Sequence, residues 1–565
     1  MTSTQTDALF DRTRRSDWWH DAVVYEVYLR SFADGNGDGT GDLAGLRRKL
    51  GYIRDLGVDA IWLTPWYPSP MKDGGYDVAD YRDIDPSFGS LDDAARLFAE
   101  AHAAGLRVLI DMVANHTSDA HPWFQAALRA GPGAGERQRY YFRDGKGAAG
   151  GEPPNDWRSA FGGPAWTRVR EADGGYGQWY LHLFAPEQPD LNWSCPDIWA
   201  EFESITRFWF DLGADGLRLD AVPAMGKHPD LPDAGFEPEE EFGQDPWPKA
   251  PYWGGESVHG ILRAWRAVAQ SYAPERVLIG EVSVDGPQRL VQYLRPDELH
   301  SAFTFDLPRT PWDESAMRKC VDGIISSLVE GAGQPTWVLS SHDEVRTVTR
   351  YARQAEDLAS RTVLSKEALR VGTRRARAAA LVMLALPGAA CLYQGEELGL
   401  WEVEDLPREV LADPIVARTG DPSKGRDGCR VPFPWDGERP PFGFSVQART
   451  WLPQPLAWAQ FTVAAQEKTP DSDLELYRRA LALRRVLGVS ANAFSWLDHG
   501  PEILAFRRGK NFRCVVNFGS APFPLPKGAR LLLASSPVLE DALPPDAAVW
   551  LWSGADGLEE VPGGS

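Results

Sequence analysis

Gly216-Leu217-Arg218-Leu219-Asp220 is a short apolar run that ends in charge, with Arg218 and Asp220 on one face of the extended chain. Runs of the same kind recur at 23–28, 60–64, 107–113, 277–282, 302–306, 336–340 and 389–393, each followed by a helical pattern. Most are apolar with little alternation, as strands covered on both faces by helices are. Eight such strands interleaved with helices predict an α/β fold, a closed (β/α)₈ TIM barrel of parallel strands.

The spacing of the runs is uneven. Roughly a hundred residues separate the third strand from the fourth, far more than a βα connection uses. That stretch holds Gly131-Pro132-Gly133 and the Gly/Pro-rich segment 150–154, with little helical periodicity. It predicts an inserted domain over 118–178, leaving 1–117 and 179–485 to the barrel. From 486 to 565 the pattern changes to short strands at 503–507, 512–517, 530–533 and 548–551, with turns between them. This reads as a C-terminal antiparallel β-sandwich domain.

The bulk numbers agree with several domains and narrow the function. A chain of 565 residues with 43% hydrophobic and 25% charged residues is a globular protein too long for one core. A formal charge of −21 opposes nucleic acid and anionic membrane surfaces. The acidic run at 237–241 reads as a solvated loop. Residues 1–16 carry no apolar signal-peptide core, and no run approaches the ~18 apolar residues of a membrane span. The five cysteines are scattered and odd in number, with no CxxC or His/Cys spacing for zinc. The expected location is the cytoplasm.

In a barrel of this kind the site lies at the C-terminal ends of the strands. Strand three ends in Asp111-Met112-Val113-Ala114-Asn115-His116, strand four in Arg218-Leu219-Asp220, strand five in Gly280-Glu281 and strand seven in Ser341-His342-Asp343. Singly, each has an ordinary reading. A lone Asp after a strand caps a helix more often than it does chemistry. An Arg two residues before an Asp forms a structural ion pair equally well. Converging at successive strand ends of one barrel, they describe a site instead.

These segments resemble the α-amylase superfamily (glycoside hydrolase family thirteen), in its α-glucosidase and oligo-1,6-glucosidase branch. The likeness runs from Trp18-Trp19 to about Arg484, and Gln188-Pro189-Asp190-Leu191-Asn192 resembles the segment that marks that branch. The resemblance implies a retaining mechanism, which needs two carboxyl groups about 5–5.5 Å apart. Asp220 matches the nucleophile, Glu281 the acid/base, and Asp343 the third carboxylate, which bonds the sugar 2- and 3-hydroxyls. Arg218 would orient Asp220 and keep it ionised. His116 and His342 would donate to ring hydroxyls, and Tyr76 would stack under the glucose. Asp73, paired with Arg426 rather than Arg430, would clamp the 4-hydroxyl and make the enzyme exo-acting. Where the family has Asn, this chain has Ser341, and a hydroxyl replaces one amide hydrogen bond but not two.

Specificity is read from fewer residues. Ala221, just after the nucleophile, goes in relatives with α-1,4 rather than α-1,6 cleavage, which points to maltose and short maltooligosaccharides. Pro223 resembles trehalose synthases, so a glucosyl isomerase or dedicated transglucosidase is an alternative, and an inactive barrel serving as a partner subunit is a third. The loop 225–253 is expected to shape acceptor choice. Phe184 and Phe303 are candidates for the entrance, while most of the 23 tryptophans read as packing.

The run from Asp34 to Asp42 starts like an EF-hand loop but has Gly45 at the twelfth position, where that loop needs Glu. The resemblance implies one structural Ca²⁺ (or Mg²⁺) on Asp34, Asn36, Asp38, Asp42 and the Thr40 carbonyl. The alternative is a plain Gly/Asp turn. The expected partner is a small oligosaccharide, with no organic cofactor, no nucleic acid and no membrane. Oligomeric state is not legible.

Overall fold

The computed structural model describes residues 17–171, 174–235, 250–328, 333–353, 362–487 and 494–553. The N-terminal stretch 1–16, the acidic run 237–241 and the centre of the 225–253 loop lie outside the described residues.

Eight parallel strands close into a barrel in chain order: Val23–Val27, Ala60–Leu63, Arg107–Met112, Gly216–Leu219, Val277–Glu281, Ser301–Thr304, Gln334–Val338 and Ala389–Tyr393. The first and the eighth pair directly, Val24 opposite Cys391, so the sheet has no edge. All eight expected strands are present; the sixth and seventh begin one and two residues earlier than the apolar runs suggest.

The period of two sorts each strand into an outer and an inner set. Val23, Tyr25 and Val27 pack outward against the helices, in the cluster that holds Leu46, Ile53 and Leu97. Val24, Ala60, Trp62, Leu109, Val277, Ile279, Phe303, Val338 and Cys391 form a separate apolar cluster. One pleat further along the same faces come Glu26, Asp111, Arg218 and Glu281. The apolar layer thus fills the barrel and the charged layer stands above it. Gly216 opens the fourth strand where a Cβ would meet the Val277 carbonyl oxygen at 2.3 Å, so only glycine lets the strands close there.

The helices follow their sequence cues. Leu43–Leu56 is capped by Asp42, whose carboxylate accepts from the Gly45 amide at 2.6 Å, and ends at Gly57 with φ 98°. Lys366–Ala385 starts at Ser365, which caps the Ala368 amide.

After the third strand the chain leaves the barrel and builds a three-stranded antiparallel sheet, Phe142–Arg143, Tyr176–Leu181 and Trp166–Arg170. Tyr176–Leu181 runs across the expected boundary at residue 178. Short bridges from His116 to Asp190 and from Tyr140 to Leu191 then tie the insertion back to the barrel rim.

Beyond the helix Asp473–Leu487, five antiparallel strands form a sheet in the order Phe494–Leu497, Ile503–Arg508, Phe512–Asn517, Ala547–Trp552, Arg530–Ala534. Leu504, Phe506, Cys514, Val516 and Trp550 join the main core beneath it. Ile503, Ala505, Val515, Val549 and Leu551 point the other way, onto Leu543 and Phe523 of a two-stranded ribbon. Among the described residues, no helix is long and apolar enough to cross a membrane. All five cysteines are free.

Candidate active site

Arg218 is the hub of the charged layer. It pairs in register with Asp111 on the neighbouring strand, so both side chains rise from the same face of the barrel wall. One terminal nitrogen donates to Asp111 at 3.1 and 3.2 Å and to Asp220 at 2.6 Å; the other donates to Glu281 at 2.5 Å. The planar fork of guanidinium is suited to holding several carboxylates at fixed angles. Its face lies 4.6 Å over Trp62, and its side chain is only 2% exposed.

Three carboxylates around one cation leave the cluster short of positive charge. Burial pushes Asp220 well above the ordinary carboxylate range, with Glu281 and Asp111 adding to the rise and Arg218 opposing it. Burial likewise pushes Asp111 up to about 6, again against the pull of Arg218. Arg218 thus orients Asp220 but, contrary to the expectation from sequence, does not keep it ionised: burial and the neighbouring carboxylates outweigh the one cation and hold a proton on the Asp111–Asp220 side of the cluster towards the neutral range.

A second group faces the first across the barrel mouth. Asp343 accepts from Arg426 at 2.9 Å and from Arg430 at 2.7 Å, and its other oxygen lies 3.4 Å from His342 Nε2. Burial would raise its proton affinity, but His342, Arg426 and Arg430 together hold it well below the usual carboxylate range. His342 Nδ1 lies 2.6 Å from Glu26 Oε1, which fixes the ring. Its Nε2 has no hydrogen-bond partner among the described residues. Tyr76 lies nearly parallel to the His342 ring at 5.3 Å, and its hydroxyl donates to Asp111 at 3.0 Å.

The insertion supplies the third side. Gln188 donates to Asp73 at 3.1 Å and lies 3.0 Å from His116 Nε2. Burial lowers His116 to about 3, so its ring is neutral. Asp73 also accepts from Arg426 at 2.8 Å, which closes one end of the mouth with an ion pair. Phe184 packs 5.1 Å from His116 and 5.5 Å from Phe161, and the Arg426 guanidinium lies 5.0 Å over Phe161. Arg418, from the helix Pro414–Thr419, donates to the Gly162 carbonyl at 2.8 Å and so bridges that segment to the insertion.

The structure thus brings together Asp220, Glu281, Asp343, Asp73, Tyr76, His116, Arg218, His342, Arg426 and Phe184, and sets Ala221 against Glu281. Of the two arginines weighed for Asp73, Arg426 makes the contact and Arg430 goes to Asp343. Phe303 is not at the entrance: its ring sits inside the barrel, 5.2 Å from Trp62, and it is 2% exposed. As an inward position of the sixth strand it fills the apolar layer. Ser341 uses its hydroxyl locally, accepting from the Asp343 amide at 3.1 Å. That bond braces the turn carrying Asp343.

Three contributors escaped the sequence reading. Glu26 orients His342, and a glutamate inside the Val-rich first strand was the available clue, since a charge buried there needs a partner. Asp413, the N-cap of the helix Pro414–Thr419, accepts from the Arg426 amide and from Nε, both at 2.7 Å, a second use that its capping position does not announce. Lys227, buried, lies 2.8 Å from Asp190 and donates to Asn115 at 2.8 Å, joining the loop after Asp220 to the insertion.

The loop 34–42 offers hard oxygen donors only, the type a Ca²⁺ or Mg²⁺ ion takes. Its side chains also brace the loop itself. Asp34 accepts from the Gly37 and Gly39 amides at 2.6 and 2.8 Å, Asp38 from Thr40 at 2.8 Å, and Asp42 from Asn36 at 2.9 Å. Among the described residues, no group of three or more His, Cys, Asp or Glu side chains is arranged as a metal cluster. The donor set fits a hard cation in kind, with fewer than three acidic ligands converging.

Comparison with known proteins adds kinship to this geometry. The family "Alpha amylase, catalytic domain" matches residues 26–489, and "Domain of unknown function (DUF3459)" matches 477–550. A "Probable alpha-glucosidase" of Rhizobium meliloti (strain 1021) is 38% identical, over 89% of this chain and 89% of its own. An "Oligo-1,6-glucosidase" of Parageobacillus thermoglucosidasius is 34% identical, over 83% of this chain and 84% of its own. Among solved structures, the alpha-glucosyl transfer enzyme XgtA superposes with a TM-score of 0.82 at 34% identity, covering 95% of this chain and 99% of its own.

Proposed function

The chain belongs to the α-amylase catalytic-domain family and is a glycoside hydrolase, and on that footing we propose a retaining, exo-acting α-glucosidase that takes α-1,4-linked gluco-oligosaccharides such as maltose from the non-reducing end. The observation that carries the reading is the pair Asp220 and Glu281 on the two nitrogens of one buried guanidinium, opposite a mouth closed by Asp73 and Arg426.

Asp220 attacks the anomeric carbon as its bond to the leaving oxygen breaks. Glu281 gives that oxygen its proton. Water then loses a proton to Glu281 and displaces Asp220, so the product keeps the α configuration. Asp343, held ionised, accepts hydrogen bonds from the 2- and 3-hydroxyls as the ring distorts. Arg426 and Asp73 meet the 4-hydroxyl, so a sugar chain cannot continue past them. No organic cofactor enters any step. A hard divalent cation in the loop 34–42 is proposed as a structural ion, remote from this chemistry.

A sugar hydroxyl can replace the water, and the likeness to a glucosyl transfer enzyme favours transfer as the second reading. Incubation with maltose, with free glucose, trehalose and longer oligosaccharides resolved, separates the two. Glucose as the main product supports the hydrolase; trehalose or longer sugars in excess overturn it. Asp220→Ala removes the covalent intermediate, and turnover near the parent rate in that variant would refute the mechanism.

A further inference from the structure

We propose that the seam between the barrel and the C-terminal sheet is a binding site for a small aromatic anion, seated in a cavity bounded by Arg484, Arg508, Lys510, Phe512 and Trp552.

The cavity follows from a helix that stops short. The inward face of the C-terminal sheet packs on Lys366–Ala385, with the Trp550 ring nitrogen donating to the Leu381 carbonyl. Where that helix ends, the hairpin of Ile503–Arg508 and Phe512–Asn517 reaches its tip. The period of two puts Arg508 on the same face as Leu504 and Phe506, so its guanidinium is turned into the seam and buried. Arg484, also buried, arrives beside it from the helix Asp473–Leu487. Both arginines cap the end of the first helix. Arg484 donates to the Leu384 and Gly388 carbonyls, both at 2.5 Å, and Arg508 to the Ala385 carbonyl at 3.1 Å.

Capping explains the two guanidiniums but not the space in front of them. A cavity of about 200 Å³ remains there, far more than the ~30 Å³ share of one water. Phe512 and Trp552, paired across neighbouring strands, give it aromatic walls, and Leu487 adds to its apolar side. Gly509, with φ 59°, turns the hairpin so that Lys510 stands exposed at the rim. Among the described residues that line the cavity there is no carboxylate. The local sequence agrees: between Glu502 and Glu540 the chain has six Lys and Arg and no Asp or Glu, in a protein of net charge −21.

Burial lowers the proton affinity of Arg508 to about 10, with Asp21 opposing, and an anion in the cavity would offset that cost. A ligand with a ring for Phe512 and Trp552 and a charge for the three cations therefore matches both halves of the lining. A neutral sugar leaves the cations unanswered. Gly388 precedes the eighth strand, Ala389–Tyr393, so the cavity lies at the opposite end of the barrel from Asp220. Occupancy thus fastens the C-terminal sheet without entering the catalytic mouth.

Phenyl phosphate is a suitable probe, titrated calorimetrically into the full chain at low salt, with inorganic phosphate and phenol as its two halves. A dissociation constant of about 1 mM or below is expected for phenyl phosphate, and binding at least about tenfold weaker for either half. Lys510→Glu, a change at an exposed position, should weaken the probe about tenfold or more. Leu487→Trp fills the cavity and should abolish binding; should that variant not fold, Lys510→Glu decides alone. Maltose cleavage should proceed at the parent rate in Lys510→Glu, and in the parent with saturating probe. No heat of binding up to about 10 mM overturns the proposal. Equal affinity for inorganic phosphate or for phenol overturns it as well, since one half of the ligand would then suffice. So does undiminished binding to Lys510→Glu, or competition between the probe and maltose, which would put the ring in the catalytic mouth.

Discussion

Arg426 holds three carboxylates, Asp73, Asp343 and Asp413, in one plane of donors. Lysine keeps the charge but offers a point rather than a fork, so it cannot hold all three. Arg426→Lys is expected to lower kcat/KM on maltose about 100-fold, the scale of an ångström of misplacement. Its pH profile should move as well. Asp343 sits below the usual carboxylate range because His342, Arg426 and Arg430 outweigh its burial. Weakening that hold raises its proton affinity, so the acid limb of activity should shift to higher pH. An unmoved limb in steady-state profiles would assign Arg426 to sugar binding alone. At this scale, residues at strand ends were readable from the chain, because a strand ends where its charges begin. Asp413 was not, since an Asp before Pro414 reads as a helix cap and says nothing of the Arg426 that its other oxygen holds.

The barrel strands were legible as elements because both faces are buried and the runs are apolar. Their parity carried more than their positions did: Val24 and Glu26, Leu109 and Asp111, and Ile279 and Glu281 share a face, one of each pair filling the barrel and the other joining the site. The same logic removes Phe303 from the entrance. The C-terminal strands at 494–497, 523–524 and 542–543 were missed, two of them being only two residues long. The end of the eighth strand holds a further carboxyl group. Burial pushes Glu396 up to about 7, against hydrogen bonds from Ser340 at 2.5 Å and Tyr477 at 3.0 Å. Since the folded value is raised, the folded chain holds this proton more tightly. The stability it contributes is full below the ordinary glutamate range and is lost as pH rises through about 7. Glu396→Gln is therefore expected to melt higher than the parent at pH 8.5, by about 2 °C or more, with the gain gone at pH 4.5. A gain equal at both pH values in thermal melts would rule out this ionisation.

Across the whole molecule, the loop 34–42 joins the start of the chain to its later part. The Asp34 amide donates to the Phe444 carbonyl at 2.9 Å, Asp34 Oδ2 accepts from Ser445 at 2.5 Å, and the Trp451 amide donates to Gly39 at 3.2 Å. The cation proposed for this loop would stabilise the closed barrel by mass action, by about 2.7 kcal/mol at a hundred times its dissociation constant. A chelator should then lower the melting temperature by a few degrees and leave kcat, measured well below melting, unchanged. An identical melt with and without chelator would dismiss the ion. The C-terminal sheet is fastened by side chains that no strand pattern announces: Trp550 donates to the Leu381 carbonyl at 3.0 Å, and Asp546 accepts from Trp312 at 2.8 Å and Arg375 at 2.9 Å. The charged mouth described above is assembled from one of the first strands and one of the last loops, Glu26 behind His342 and Arg430 on Asp343. During synthesis, Asp220 and Glu281 leave the ribosome long before Arg426 and Arg430 do. On the proposed mechanism, a growing chain therefore carries Asp220 and Glu281 without the arginines that complete the mouth, and sugar cleavage is expected only once the last loops of the barrel have been translated and docked.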